Sequence, residues 1–588
     1  MGRVAAPFGL GRCLGGSEER RSLRALAPFI LPFLLLRPIV AHAAWSPNGD
    51  PICTAAGLQY HPVVASDGAG GAFVSWWDFR GGATSDIYTQ RIDGQGVAQW
   101  AANGVVTCSA AGNQNDVAIM PDGAGGAIEV WSDLRNGADA DVYAQRIDAS
   151  GAAQWTANGV AICAVSGDQA ILSMVSDGAG GAIVSWSDFR GGVSYDIYAQ
   201  RIDASGAVQW TANGVPVCTA VGNQLNATIA SDGAGGAIVT WPDPRVGLVN
   251  HIYAQRIDAS GAARWAANGV LVCSAPNGQF VPEIVSDGVG GAVIAWQDDR
   301  SGTSYDIYAQ RVNASGVAQW AANGVSVCSA TRDQQEAMMM SDGAGGAIIT
   351  WDDYRTANNN ENIYVQRIDG TGTPSWTADG VALCTAVFNQ YSPMIASDGA
   401  GGAIVTWTDG RGASDDIYAQ RVDSSGAVRW PADGVALESA PYDQYSPSIV
   451  ADGTGGAIVA YVDYANGDQD IYAQRVGAGG TIPTGVAPLP VAQPSALALA
   501  PSCPNPFVAG AETRMSLLLP SDADVTIEVF DALGRRERHT GLGFVSAGSR
   551  SLRFDGRDDE GRLLPSGVYF YRVRAAGDTV TRKLVVTR

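Results

Sequence analysis

The sequence predicts an all-β protein, an eight-bladed β-propeller closed by strand exchange and followed by a small C-terminal β-sandwich. Three observations carry this. First, the motif Asp-Gly-x-Gly-Gly recurs with its Asp at 67, 122, 177, 232, 287, 342, 398 and 452, a period of about 55 residues that belongs to repeat architectures. Second, each unit holds four short runs of β-branched and aromatic residues separated by Gly, Asn and Asp, with no helical period. Four strands per unit make a propeller blade. Third, the ends of the repeat are complementary. Trp45, Asn48-Gly49 and Ile52-Cys53 match the fourth strand of a unit, whereas Asp470 to Val476 match a third strand. An N-terminal strand that completes the last blade leaves no exposed sheet edge.

Composition narrows the function classes. The 588 residues are 46% hydrophobic and 16% charged, with 74 glycines and a net charge of −21, which excludes a disordered polyanion and a coiled coil. Lys583 is the only lysine, and such an acidic chain has no affinity for phosphate backbones, so nucleic acid is not a partner. Four scattered histidines, His42, His61, His251 and His539, support neither a His-rich zinc site nor a Ser/His/Asp triad.

Residues 1–43 read as a signal peptide: Arg3, Arg12, Arg20, Arg21 and Arg24 precede the apolar run Leu26 to Leu36, and Ala41-His42-Ala43 is a small-x-small cleavage pattern. The apolar run is too short to span a bilayer, so no transmembrane helix is expected. The mature chain is expected to be monomeric and secreted, or held on the outer surface of a Gram-negative-type bacterium.

Residues 44–476 form the repeat. One unit reads Ser176-Asp-Gly-Ala-Gly-Gly-Ala-Ile-Val-Ser-Trp-Ser-Asp-Phe-Arg190, then Asp196-Ile-Tyr-Ala-Gln-Arg-Ile-Asp203, Trp210 and Asn213-Gly-Val-Pro-Val-Cys218. The glycines of Asp-Gly-x-Gly-Gly suit a tight connection with positive φ. A solenoid would need atypical polar caps at both ends; here the first unit keeps its Trp and Asp-x-Arg, and the last changes only to Tyr461, Ala465 and Glu438. About half of each unit, Ser-Asp-Gly, an apolar strand, Asp-x-Arg and Ile-Tyr in that order, resembles the blade of TolB-like propellers. The segments after Ile-Tyr depart from that pattern, so the resemblance implies the fold and no partner.

Residues 477–500, rich in Ala, Pro and Gly, read as a linker. Residues 501–588 alternate strands and turns. Asn505-Pro-Phe507, Val529-Phe-Asp-Ala-Leu-Gly-Arg535, Phe554-Asp-Gly-Arg557 and Pro565-Ser-Gly-Val-Tyr-Phe-Tyr-Arg572 together resemble the Ig-like domain of flagellar hook-capping proteins, which also serves as the C-terminal sorting domain of type IX secretion substrates. The resemblance implies that secretion machinery is a partner of 501–588.

Chemistry is harder to find, because an active site breaks symmetry and most polar residues here obey it. Eight of the 16 tryptophans sit on fourth strands and seven on second strands, which is a packing pattern. Trp77 alone stands outside the register and is expected at the surface. The repeated Asp-x-Arg pairs, from Asp78/Arg80 to Asp409/Arg411, invite comparison with glycosidase carboxylates, yet their repetition marks them as structural. Seven cysteines (Cys53, Cys108, Cys163, Cys218, Cys273, Cys328, Cys384) occupy one position in successive units. Neighbouring blades hold equivalent positions beyond bridging distance, so these are expected as buried free thiols.

No catalytic, cofactor-binding or metal-binding residue is assigned, and no cofactor is expected; structural calcium in the Asp/Asn/Gly turns is the one ion the composition allows. Only breaks in the repeat point to a site: Trp77, Glu129 within a second strand and His251 before an Ile-Tyr, with Pro242, Pro244, Met338 to Met340 and Asn358 to Asn362 as weaker marks. The leading expectation is a non-enzymatic binding or scaffold module for a protein or glycan. The alternative is a carbohydrate-active enzyme, sialidase-like or lyase-like, with its site at the central channel.

Overall fold

The computed structural model describes residues 45–483 and 497–587, apart from short breaks at 248, 357–359, 465–466, 500–504, 506, 511–512, 520, 522, 546–547 and 576. The predicted signal peptide and most of the predicted linker lie outside the described residues. Among those described, regular structure is entirely β, and no helix is long and apolar enough to cross a membrane.

The repeat forms eight four-stranded antiparallel sheets, a propeller-like arrangement. In the first sheet the order is Gln59–Ser66, Ala72–Asp78, Asp86–Ile92 and Val105–Cys108. Second strands are buried along nearly their whole length, because both faces lie against a neighbouring sheet; Ala182–Asp188 is buried at every residue. This is why they read as continuous apolar runs without alternation.

Strand Asp50–Cys53 is the fourth strand of the last sheet, paired antiparallel with Asp470–Val476. The junction of the last sheet with the first uses the same bonds as the other junctions. Trp45 Nε1 donates to the Gly94 carbonyl at 3.2 Å, as Trp100 Nε1 does to Ala149 at 3.1 Å and Trp155 Nε1 to Ala204 at 3.2 Å. Thr54 N–H donates to Asn103 Oδ1 at 3.0 Å, matching Ser109 to Asn158 at 3.0 Å. Arg475 Nη1 reaches the Gly94 carbonyl, as Arg146 Nη1 reaches that of Ala204. Asn103 and Gly104, both at positive φ, turn the chain into the fourth strand, and a Cβ at Gly104 would stand 2.5 Å from the Trp76 ring.

The repeated polar residues form two latches per sheet. In the first, Asp78 accepts from Trp76 Nε1 at 2.7 Å and from Arg80 Nε at 2.8 Å, and Arg80 Nη2 also reaches Cys53 of the preceding sheet. The guanidinium lies over Tyr88, and the seven such stacks measure 3.5 to 3.9 Å. In the second, Asp67 accepts the N–H groups of Ala69 and Gly71 at 2.8 Å and pairs with Arg91 at 2.9 Å. The last sheet changes its first latch in a coordinated way: Tyr461 replaces Trp, and its hydroxyl donates to Glu438, which replaces Cys, at 3.3 Å.

All seven repeat cysteines are free and buried. Burial pushes the Cys53 thiol up to about 12, so these groups stay protonated and inert. The second-strand tryptophans, such as Trp186 and Trp241, are fully buried, whereas the tryptophans predicted for fourth strands, such as Trp100 and Trp155, lie in the turns that precede those strands, and several of them are only half-buried. Trp77, expected at the surface, is half-buried.

The tail is a sandwich of a three-stranded sheet (Ala498–Leu499, Thr513–Leu519, Gly548–Phe554) on a five-stranded one. Phe507, Leu517, Val525, Tyr571 and Leu584 fill the space between them. Two features escape the sequence pattern. Leu497 and Leu499, placed in the linker, are buried in this core, so the domain starts earlier than its text suggests. Strand Arg536–Val545 is charged, glycine-containing and largely exposed at a sheet edge, so it carries no apolar alternation.

Candidate functional site

The two ends of the sheets differ. One end holds the turns at 67–71 and 93–104 and their equivalents, whose text barely changes between units: Asp177-Gly-Ala-Gly-Gly181 against Asp452-Gly-Thr-Gly-Gly456. The other end holds the turns at 79–85 and 109–113 and their equivalents. Here the text diverges: Asp133-Leu-Arg-Asn-Gly-Ala-Asp-Ala-Asp141 against Asp243-Pro-Arg-Val-Gly-Leu-Val-Asn-His251. A site that selects a ligand needs residues that differ between units, so the variable end is the candidate.

At this end seven first strands bulge near their start, and their third residue, with the equivalent Asn226 just before strand Thr228–Ser231, takes positive φ in all eight units: His61 (50°), Asp116 (52°), Ile171 (57°), Asn226 (53°), Val281 (45°), Glu336 (52°), Ser392 (54°) and Ser446 (53°). For β-branched Ile171 and Val281 this backbone is strained. The eight side chains are exposed or half-exposed, so the bulge sets out one freely variable residue per sheet at one level. In the sheets that keep both the strand and its pairing, the register slips across the bulge, as between Tyr60 and Val63.

One junction concentrates ionisable groups. Asp352, between Trp351 and Asp353 on a second strand, is only 4% exposed. The first strand of its own sheet brings exposed Glu336, and the turn that follows Asp352 brings Tyr354 and Glu361. Asp352 Oδ2 accepts the Ser392 N–H of the next sheet at 3.4 Å, while Oδ1 has no donor. Tyr354 donates to Glu361, and Tyr391 donates to Asp415 Oδ2 at 2.9 Å. Burial, and then the charges of Glu336 and Glu361, raise the Asp352 carboxyl well above the usual carboxylate range. The neutral form of Asp352 is thus favoured beside the exposed Glu336. Burial and the bond to Glu361 raise the Tyr354 hydroxyl well above the usual tyrosine range, which keeps it a donor. Among the described residues no three His, Cys, Asp or Glu side chains are placed to hold a metal ion.

The residues singled out from the sequence fall elsewhere. Trp77 occupies the same register position as Asp352, in the first sheet; its ring packs on His61 at 4.2 Å and its buried Nε1 has no partner. His251 Nδ1 lies 3.1 Å from Gln279 Oε1 of the next sheet. Glu129 is fully buried between the first two sheets, where it accepts from Thr89 at 2.6 Å and Ser75 at 3.5 Å. Thr89 and its partner Thr107 also break the repeat, standing where other units have Ala or Val and Ile, Val or Leu, so three departures form one buried polar cluster. Sequence reading missed Glu336, Asp352 and His61 as site residues, and touched Glu361 only within the weak mark Asn358 to Asn362. The available signal was the divergence of the third residue in each first strand.

Glu129 makes a pH prediction. Burial pushes its carboxyl up to about 7 from the usual 4.5. The folded state thus binds the proton more tightly than the unfolded chain, and this contribution is complete below 4.5 and lost as pH rises through 7. Its share is about 3 kcal/mol. Glu129→Gln should remove that share, so the difference in denaturation midpoint between wild type and variant should change in the variant's favour between pH 5 and pH 8. A difference independent of pH would refute the assignment.

Comparison with known proteins places the tail. Residues 505–579 match the FlgD Ig-like domain. The FlgD structure from P. aeruginosa is 29% identical over 13% of this chain and 64% of its own length, with a TM-score of 0.12; this chain thus spans less than two thirds of that protein. No curated protein matches the sequence. Two similar solved structures are the PL25 ulvan lyase, 13% identical over 63% of this chain and 96% of its own with a TM-score of 0.39, and the Hadza microbial sialidase Hz136, 12% identical over 57% and 73% with a TM-score of 0.32. Similar structures also include an arabinofuranosidase from Fusarium graminearum, 11% identical with a TM-score of 0.29. The expectation that the chain is not an enzyme finds no support among them.

Proposed function

We propose that the chain is an exported carbohydrate-active enzyme: an eight-bladed propeller, closed by the strand Asp50–Cys53, whose variable end carries the site and whose tail engages secretion machinery. The repeated bonds at the junction of last and first sheets support closure. The Ig-like match supports delivery by the tail, and a chain ending at Val476 that still reached the medium would refute that role.

The observation that carries the chemistry is the buried Asp352, whose surroundings favour its neutral form, beside exposed Glu336, with Glu361 as a further carboxylate. Glycosidic hydrolysis needs one carboxyl that keeps its proton for the leaving oxygen and one carboxylate that attacks carbon or activates water. Asp352 serves as a positioning residue that shares its proton with Glu336. Glu336 then protonates the departing oxygen, and Glu361, oriented by Tyr354, is the second carboxylate. The test is reducing-sugar release from a panel of polysaccharides. Glu336→Gln should lower kcat by about 100-fold or more, and Asp352→Asn should displace the limb of the pH–rate profile set by Glu336. No release from any polysaccharide, or full activity in Glu336→Gln, would refute the reading.

A further inference from the structure

We infer that five junctions between sheets carry a proton-dependent link at the variable end, a carboxyl of one sheet donating to a buried glutamine of the next, so that acid tightens this end and neutral pH loosens it. The inference is independent of the carbohydrate reading.

Its ground is a set of buried acceptors without donors. Every unit carries a glutamine at the start of its first-strand segment, and Gln114, Gln169, Gln224, Gln334 and Gln444 are fully buried. Their backbone N–H groups cross the junction to the carbonyls of Ser85, Ala140, Tyr195, Tyr305 and Asp415 at 2.7 to 2.9 Å. Nε2 is spent on the turn just before the strand, as from Gln334 to the Arg332 carbonyl at 2.9 Å. Turning the amide round would set its oxygen against that carbonyl, so Oε1 must face the junction. There it has no donor in any of the five, although buried polar atoms are nearly always paired. The residue after each of the five carbonyls is an aspartate: Asp86, Asp141, Asp196, Asp306 and Asp416.

One junction shows what that position does. Where the repeat has His251 instead, Nδ1 lies 3.1 Å from Gln279 Oε1, and because an amide oxygen only accepts, Nδ1 carries the proton. Nδ1 of a histidine and Oδ1 of an aspartate stand the same number of bonds from the backbone. An aspartate in this place brings an oxygen to the glutamine oxygen, and the two repel unless the carboxyl holds a proton. Protonated, it donates as His251 does.

The surroundings favour that proton. Asp141, Asp306 and Asp416 are each less than a tenth exposed. Around Asp306 its own sheet places Asp298, Asp299, Arg300 and the Cys328 thiol, and the next sheet places Asp333, Asp353, Arg355 and Asp379. Arg300 and Arg355 are bound to Asp298 and Asp353, so neither is free to hold Asp306 ionised. Burial, and then the charge of Asp298, raises the Asp306 carboxyl to about 6 from the usual 3.8. Burial raises Asp141 and Asp416 to the same level. Because the folded state binds these protons more tightly than the unfolded chain, the link contributes fully below 3.8 and is lost as pH rises through 6.

The experiment is hydrogen exchange on the full chain, read at the backbone N–H groups that cross the junctions and corrected for the intrinsic effect of pH on exchange. Between pH 5 and pH 7.5 the protection of Gln334 should fall about 10-fold, the change expected when the carboxyl returns to its usual range in the open junction. Gln279, tied by His251 in either charge state, should keep its protection. Asp306→His should remove the pH dependence at Gln334, and His251→Asp should create it at Gln279. Equal pH dependence at Gln279 and Gln334 in the wild type, or a dependence kept in Asp306→His, would overturn the inference. So would calcium that restores the protection of Gln334 at pH 7.5 and leaves Gln279 unchanged, because a cation rather than a proton would then join the two oxygens. The wild-type comparison needs no variant, and His251→Asp gives a second readout should Asp306→His fail to fold.

Discussion

Removing residues 44–56 should destabilise the repeat by more than about 5 kcal/mol. The deletion takes away Trp45 and Ile52, both nearly fully buried, and Cys53. It also leaves Asp470–Val476 as an unpaired edge and removes the Trp45 and Thr54 bonds to the first sheet. A sheet of three strands with a bare edge is a poor partner for its neighbours and invites aggregation. The readout is the denaturation midpoint, with a synthetic 44–56 peptide added back. We expect a large fall and partial recovery with the peptide. An unchanged midpoint would mean that the strand is ornamental and the ring is held without it.

The second large effect concerns one latch. Asp188→Ala should cost about 3 to 5 kcal/mol, the range for breaking a buried ion pair from one side. Asp188 is fully buried and accepts from Trp186 Nε1 at 2.7 Å, Arg190 Nε at 2.8 Å and the Arg190 N–H at 2.9 Å. Its loss deprives four nitrogen donors of their acceptor, two of them on a guanidinium held over Tyr198 at 3.7 Å. The last sheet shows how the same position tolerates a change when partners change together, with Tyr461 and Glu438 in place of Trp and Cys. A double variant of Asp188 and Arg190 to apolar residues should therefore recover part of the loss. Equal destabilisation in single and double variants would show that the pair is not coupled, contrary to the geometry.

These two variants bear on different parts of the function. The latches and the exchanged strand hold the sheets in a fixed relation, and only in that relation do Glu336, Asp352 and Glu361 converge on Tyr391 and Asp415 of the next sheet. The cluster is built from a bulge, a second strand and a turn of one sheet, and is closed by the first strand of its neighbour. Loss of activity in Asp188→Ala would thus report lost stability, whereas loss in Glu336→Gln with an unchanged midpoint would report chemistry.

The repeat, its four-strand unit and the Ig-like tail are legible in the sequence alone, because each is written in local chemistry. Gly, Asn and Asp mark the turns, β-branched residues mark the strands, and Trp and Asp-x-Arg return at fixed spacing. The sequence also determined that Cys53 and its equivalents are packing residues. Short, charged or strained pieces were illegible. Arg536–Val545 gains its place from an edge, Leu497 and Leu499 from a core built by residues far along the chain, and Ile171 and Val281 take backbone conformations that their own side chains disfavour. Packing of the sheets brings Glu129, Thr89 and Thr107 into a single buried cluster and places Asp352 where its neutral form is favoured beside Glu336. Periodicity fixes where a residue lies within its own sheet. A carboxyl's protonation depends on its burial and on the charges facing it, and at Asp352 the next sheet supplies part of both.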